Sequence, residues 1–82
     1  MEGYVYILLS KKDGKTYLGS TNDLSRRIND HYCGKCKATK HRRPLNLIYS
    51  EKFNNLSEAR KREKYLKTST GRRFLKKFFN NN

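Results

Sequence analysis

The sequence predicts a small α+β fold in which a three-stranded antiparallel sheet is flanked by helices, in the order β-β-α-β-α-α. Three observations predict it: a hairpin signal near the amino terminus, an alternating apolar segment in mid-chain, and three segments with apolar residues at helical spacing. The chain of 82 residues fits one domain with a small core. We expect that domain to span 1–82, with a frayed tail at 80–82.

The segment 4–19 predicts a β-hairpin, because an Asp-Gly pair separates two apolar runs. If two or four residues form the loop, positions whose numbers sum to 27 pair across the strands. One face then carries Tyr4, Tyr6, Leu8, Tyr17 and Gly19, and the other carries Val5, Ile7, Leu9 and Leu18. A three-residue loop would break this parity. We therefore expect one face to pack in a core and the other to place two phenols beside a glycine, where a backbone or a ligand can approach closely.

The next segment predicts a helix from about residue 23 to residue 32 or 33, with Asn22 or Asp23 as its N-cap. Apolar residues every four positions form its predicted core stripe: Leu24, Ile28 and Tyr32. Arg27 and His31 are also four residues apart and share a face beside that stripe. The pair suits phosphate binding and proton handling, although a solvated arginine and a packed histidine would give the same pattern.

A basic loop closed by Pro44 follows the helix. It would dock naturally on a phosphate backbone, although a solvated linker could have the same composition. Its five cations are Lys35, Lys37, Lys40, Arg42 and Arg43.

Cys33 and Cys36 form a lone CxxC close to His31 and His41. Structural zinc sites usually combine two such motifs, and a redox CxxC needs a βαβ context that this chain lacks. We therefore expect two reduced thiols and no zinc.

The segment 45–53 predicts the third strand, with Leu47, Tyr49 and Phe53 in alternation. A helix should follow, and Asn55 with Glu58 forms a capping-box-like start, with Ser57 as the alternative cap. Gly71 should separate this helix from the last one. The last helix should dock an apolar stripe on the sheet: Phe74, Leu75, Phe78 and Phe79.

Glu63 interrupts the apolar stripe of the second helix. A carboxylate at a core-facing position costs free energy unless a partner compensates for its burial. An ion pair with Lys67 or Arg62 would do so. The functional alternative is a carboxylate that faces a cleft and binds a divalent metal.

The charge of the chain points to a polyanionic partner, because 20 Lys and Arg against 7 Asp and Glu give a net charge of +13. We expect no membrane partner, since no helix combines a basic face with a broad apolar one. No signal peptide or apolar span is visible, so we expect a cytoplasmic protein.

These motifs, in this order, resemble the GIY-YIG nuclease domain, and above all its short stand-alone bacterial group. The resemblance rests on YVY at 4–6, YLG at 17–19, DLSRR at 23–27 with His31 one turn on, and Glu63 within ARKREKYLK. The first signature lacks its glycine. Ser20 stands where repair-type members carry a lysine, and either Ser20, Lys40 or another cation could fill that role.

The resemblance implies a metal-dependent endonuclease that hydrolyses phosphodiester bonds in DNA, with Mg²⁺ or Mn²⁺ and no small-molecule cofactor. Glu63 would hold the metal, Arg27 would stabilise the developing charge, and Tyr6 would orient water or phosphate. Tyr17 and His31 compete as general base, since a phenol ordinarily titrates near pH 10 and an imidazole near neutrality.

The implied substrate is DNA with weak sequence preference, or branched, nicked or single-stranded DNA. Beyond the basic loop, the expected nucleic-acid contacts are Ser20, Arg26 and Lys67. The main alternative is a catalytically silent module that binds DNA or RNA, and a small structural or adaptor protein is a third reading.

Overall fold

Three antiparallel strands and three helices follow one another in the predicted order in the computed structural model, which describes residues 2–80 and side chains up to residue 77. The elements are β1 Gly3–Ser10, β2 Thr16–Thr21, α1 Leu24–Tyr32, β3 Leu45–Phe53, α2 Leu56–Leu66 and α3 Ser69–Asn80. The sheet order is β2-β1-β3, so β2 is an edge strand. The expected packing of Phe78 and Phe79 and the expected fraying at 81–82 lie outside the described side chains and residues. Among residues 2–80, no helix is long and apolar enough to cross a membrane.

The predicted parity of the hairpin is confirmed, but its predicted register is wrong by two. Tyr6 pairs with Gly19 and Leu8 pairs with Tyr17, so paired numbers sum to 25. Because both sums are odd, Tyr6, Tyr17 and Gly19 still share one face.

The turn begins earlier than predicted because Ser10 caps it. The Ser10 hydroxyl accepts hydrogen bonds from the backbone N–H groups of Lys12 and Asp13. Gly14 closes the loop at a φ of 73°, a conformation that favours glycine. Ser10 N–H then donates to the Lys15 carbonyl at 2.9 Å, which fixes the four-residue loop 11–14.

Helices cover both faces of the sheet, so the prediction of a sheet flanked by helices is confirmed. On the tyrosine face, a cluster of buried residues joins the sheet to α1: Tyr6, Leu8, Ile28 and Leu45. On the other face, Val5 packs with Ala59 and Leu66 of α2, and Leu75 of α3 packs against them. The result is a three-layer arrangement in which the phenols of the tyrosine face lie partly within a core.

Helix α1 begins after the predicted cap, since the Asp23 side chain accepts from Arg26 N–H at 3.1 Å. Its buried stripe differs from the prediction at the last turn. His31 is fully buried, whereas Tyr32 is 46% exposed and its hydroxyl accepts from Leu47 N–H. The stripe therefore turns with the 3.6-residue period to position 31 rather than to position 32.

The basic loop is anchored to the hairpin turn rather than running as a solvated linker. The Ser10 hydroxyl donates to the Arg42 carbonyl at 2.7 Å, and Lys11 N–H donates to the Pro44 carbonyl at 2.9 Å. Thr39 in the middle of the loop is fully buried. The loop therefore has a defined position against the sheet.

The carboxyl-terminal helices differ from the prediction in two details. Asn55 caps α2 as predicted and accepts from Glu58 N–H. However, the break between α2 and α3 falls at residues 67–68, and Gly71 lies inside α3, where a side chain would meet the backbone of Leu66. Phe74 is 39% exposed and contacts the Arg62 guanidinium instead of the sheet.

Candidate active site

A buried chain of hydrogen bonds lies under the tyrosine face. The Tyr6 hydroxyl lies 3.0 Å from Nε2 of His31, and Nδ1 of His31 lies 2.7 Å from the Thr39 hydroxyl. All three side chains are at most 1% exposed. Each link has a donor and an acceptor in either tautomer of the imidazole, so every polar atom of this buried chain can be satisfied.

The far end of this chain holds Arg27. The Arg27 guanidinium lies beside the Tyr6 hydroxyl, and this contact raises the pKa of the guanidinium. Burial raises the pKa of Tyr6, while the same contact with Arg27 opposes the rise. Burial, with the charge of Arg27, lowers the pKa of His31 below 6.5. At neutral pH the chain therefore contains a neutral imidazole, a neutral phenol and a cation that lies beside the phenol.

Tyr17 completes an aromatic cluster on the more open side. Its ring centroid lies 6.5 Å from that of Tyr6 and 5.3 Å from that of His31. Tyr17 is half-buried and lines an open pocket of about 380 Å³ together with Lys67 and Arg72. Of the two candidate bases, only Tyr17 is within reach of solvent, since His31 is fully buried.

Gly19 makes room for the Tyr6 hydroxyl. A Cβ at position 19 would lie 2.5 Å from that hydroxyl oxygen. The glycine predicted to allow a close approach therefore accommodates a phenol of the neighbouring strand.

Glu63 approaches β2 from the opposite face of the sheet. Its Oε1 accepts a hydrogen bond from the Ser20 hydroxyl at 2.5 Å, and its Oε2 lies 2.7 Å from Nζ of Lys67. Burial raises the pKa of Glu63, but the bonds from Lys67 and Ser20 and the charge of Arg60 outweigh it, so the pKa is lowered. The predicted partner Lys67 is thus present, whereas Arg62 pairs with Glu51 at 2.9 Å.

Residues from both faces of the sheet contribute to the candidate site at the edge strand β2. Arg27 from one face and Ser20, the donor to Glu63, line a common pocket of about 310 Å³ at the carboxyl end of β2. We call it the arginine pocket. Its lining includes Ser20, Asn22, Arg26, Arg27, Leu56 and Arg60. The structure thus brings Arg27 and Ser20 to one pocket, which Glu63 approaches through its bond with Ser20, whereas Tyr17 lines a different pocket.

The residues predicted to contact nucleic acid take three different positions. Ser20 and Arg26 line the arginine pocket, and Lys67 pairs with Glu63. Three cations project from the basic loop as exposed side chains: Lys35, Lys37 and Lys40.

The two arginines of the basic loop have structural contacts. Arg42 pairs with Asp13 of the hairpin turn at 3.2 Å. Arg43 donates to the Lys40 carbonyl and its guanidinium covers Gly34. Both therefore help to hold the loop in place.

Thr39 is a residue near the candidate site that the sequence did not reveal, and Arg60 of the arginine pocket is another. A threonine between lysines in a polar loop has no periodicity or motif that marks it as buried. Its burial follows from the anchoring of the loop to the hairpin, which no local pattern encodes.

In the described part of the chain, the cysteines belong to no metal-binding cluster. Cys33 is exposed, Cys36 is buried and both thiols are free. In residues 2–80, no three side chains of histidine, cysteine, aspartate or glutamate converge to hold a metal ion.

Comparison with known proteins identifies the family of this chain. The model of the GIY-YIG catalytic domain matches residues 2–78. The chain belongs to the GIY-YIG family. This family is one of nucleases that generally use divalent metals, and membership implies DNA as the class of substrate.

Relatives of similar length belong to the short bacterial GIY-YIG group, as expected. A UPF0213 protein of Staphylococcus saprophyticus is 45% identical over 74 residues, which are 89% of each chain. A UPF0213 protein of Streptococcus agalactiae is 44% identical over 68 residues, covering 82% of this chain and 76% of the relative. The solution NMR structure of a UPF0213 protein from Bacillus halodurans matches with a TM-score of 0.57 and 37% identity, covering 95% of this chain and 85% of that one.

Proposed function

We propose that this protein is a metal-dependent endonuclease that hydrolyses phosphodiester bonds in DNA. The observation that supports it best is the arginine pocket, whose wall contains both Arg27, which lies beside the buried Tyr6, and Ser20, which is bonded to Glu63. A cation and a carboxylate held on two sides of an exposed strand edge suit a phosphodiester with a bound metal ion.

The residues present fit Mg²⁺ or Mn²⁺ better than zinc. Mg²⁺ is usually held by one or two carboxylates and keeps several waters, whereas zinc sites need three or four nitrogen or sulfur ligands. Glu63 offers one carboxylate that is 21% exposed, with the Ser20 hydroxyl beside it. When bound there, the ion would polarise the phosphate and stabilise negative charge.

Arg27 would bind the phosphate that is cut. Its planar guanidinium makes paired hydrogen bonds to phosphate oxygens, and the Tyr6 hydroxyl lies beside it. Since a positioned cation loses less freedom on binding than a mobile one, this contact favours productive geometry.

Tyr17 would orient the attacking water and accept its proton, since it is half-buried and is the more exposed of the two candidate bases. His31 would act as a positioning residue, because it is fully buried, hydrogen-bonds with Tyr6 and packs its ring against Tyr17. Thr39 would also act as a positioning residue, because its hydroxyl holds Nδ1 of His31. This division of roles distinguishes the two bases that the sequence left open.

The preferred DNA would be branched, nicked or single-stranded, or duplex with weak sequence preference. The exposed loop residues Lys35, Lys37 and Lys40 provide phosphate contacts without base recognition. Such contacts predict binding that weakens steeply with salt.

The test is cleavage of supercoiled plasmid and of a panel of branched, nicked and single-stranded DNA with Mg²⁺ or Mn²⁺. We expect nicking that EDTA abolishes and that Glu63→Gln reduces at least about 100-fold, a typical effect of losing one electrostatic contributor. Glu58→Gln is the matched control, since Glu58 is exposed in the first turn of α2. Intact substrates with the wild type, or equal cleavage by Glu63→Gln, would refute the proposal.

One observation favours the alternative, a module that binds DNA or RNA without cutting it. Both carboxylate oxygens of Glu63 already have partners, Ser20 and Lys67, so the carboxylate is compensated without a metal. This alternative predicts nucleic-acid affinity that EDTA leaves unchanged and no turnover with either ion.

A further inference from the structure

The arginine pocket concentrates positive charge where two helices begin. Three arginines line it, Arg26 and Arg27 from α1 and Arg60 from α2, and no carboxylate is among its described lining residues. Three like charges around one pocket repel one another, and an anion at the centre would remove that repulsion.

None of these three guanidinium groups forms an ion pair among the described side chains, and Arg27 alone has a contact with the buried Tyr6. The charge of Arg60 acts on Glu63, whose pKa it helps to lower, so Arg60 lies near the candidate metal ligand. Glu63 itself is engaged by Ser20 and Lys67, which leaves Arg60 available to a ligand.

The backbone adds to the positive potential. Asn22 lies immediately before the N-cap of α1, and Leu56 is the first residue of α2, and both line the pocket. Helix amino termini carry partial positive charge and favour phosphate groups. The side chains and the two helix starts therefore favour the same kind of ligand.

We propose that the arginine pocket binds a phosphate group of the nucleic-acid strand, next to the phosphate that is cut, with Arg60 as a principal contact. The inference rests on the proposed function in taking a nucleic acid as the ligand. Arg27, which would bind the phosphate that is cut, lines the same pocket as Arg60, so a strand that reaches Arg27 would present a neighbouring phosphate to Arg60.

The experiment is a salt titration of binding in EDTA, where cleavage cannot occur, with fluorescent oligonucleotides and anisotropy as the readout. Arg60→Gln should weaken binding about tenfold and reduce the slope of log K against log salt by about one contact. Arg73→Gln is the matched control, because Arg73 is exposed on α3 and its substitution removes the same charge. It should change affinity less than about twofold if only the general charge of the protein is affected.

Two further arms identify the phosphate. The same oligonucleotide is compared with a 5′-phosphate and with a 5′-hydroxyl. An Arg60 effect on both supports an internal phosphodiester as the ligand, and an effect confined to the phosphorylated strand supports a terminal phosphate. Arg60→Gln that matches Arg73→Gln in affinity and salt slope would overturn the proposal.

The test of phosphate binding by the arginine pocket can succeed or fail independently of the test for endonuclease activity. Binding that depends on Arg60 in a protein that never cuts would support the pocket and refute the endonuclease. Metal-dependent cleavage in a protein whose binding ignores Arg60 would support the endonuclease and refute the pocket.

Discussion

Ser20 donates a hydrogen bond of 2.5 Å to Oε1 of Glu63, joining two residues that are 43 positions apart. Ser20 lies on the edge strand β2, on the face opposite to Tyr6 and Tyr17. Through this contact the carboxylate of α2 is fixed against the same strand that bears the tyrosines. The candidate site is therefore built around one exposed strand rather than on one face of the sheet.

Ser20→Ala should weaken the response to metal without unfolding the protein. The change removes one of the bonds that lower the pKa of Glu63 and leaves the carboxylate less restricted. We expect the Mn²⁺ concentration for half-maximal cleavage to rise severalfold, as for other partners of metal ligands, whose loss typically costs about 10–100-fold at most. Ser57→Ala, at an exposed position of α2, is the control. Identical metal titrations of the two variants would contradict this role.

Thr39→Val should destabilise the protein although the two side chains have nearly the same shape. It removes the 2.7 Å hydrogen bond to Nδ1 of His31 and leaves that buried nitrogen without a partner. The expected loss is about 1–3 kcal/mol in the free energy of unfolding, measured with urea. Thr70→Val in α3 is exposed and should change it by less than about 0.5 kcal/mol. Equal stability of the two variants would show that the buried chain contributes nothing.

The sequence predicted the elements and the parity of the hairpin because both depend on local periodicity. For any loop with an even number of residues, the numbers of paired positions have an odd sum. An odd sum places Tyr6 and Gly19 on one face of the sheet. The register itself depends on the Ser10 hydroxyl, which starts the turn and bonds to a carbonyl 32 residues away. A contact between distant segments leaves no trace in a local pattern.

The candidate site was predictable to a similar extent. Glu63 was visible as a charge on an apolar stripe, and its partner Lys67 followed from helical spacing. By contrast, Thr39 and Arg60 lie on elements that give no sign of what they face. Only the anchoring of the loop and the convergence of two helix starts bring them to the site.

The stability of the protein should fall as the pH drops below about 6.5. Burial, with the charge of Arg27, lowers the pKa of His31 in the folded state, so the unfolded chain binds more protons between that lowered pKa and 6.5. Stability therefore rises with pH in this window, by at most about 1.4 kcal/mol per pH unit for one group.

Urea unfolding between pH 5 and 7 measures this dependence. His41 is the other histidine of the chain and is exposed, so His41→Gln should keep the dependence and His31→Gln should lose it. A wild-type stability that stays flat from pH 7 to pH 5 would contradict the account of a neutral buried imidazole.

Lys67→Met should increase the affinity of the protein for Mn²⁺ in the absence of nucleic acid. The ammonium lies 2.7 Å from Oε2 of Glu63 and is 56% exposed, so it competes with a metal ion for that oxygen. An exposed pair of this kind is worth about 0.2–1 kcal/mol, which limits the gain to about fivefold. Lys64→Met removes the same charge from an exposed position of α2, so it controls for the general repulsion of cations by a chain of net charge +13. Titration calorimetry should show tighter Mn²⁺ binding for Lys67→Met than for Lys64→Met. If the two variants bind the ion equally, Oε2 of Glu63 is not where the metal is held.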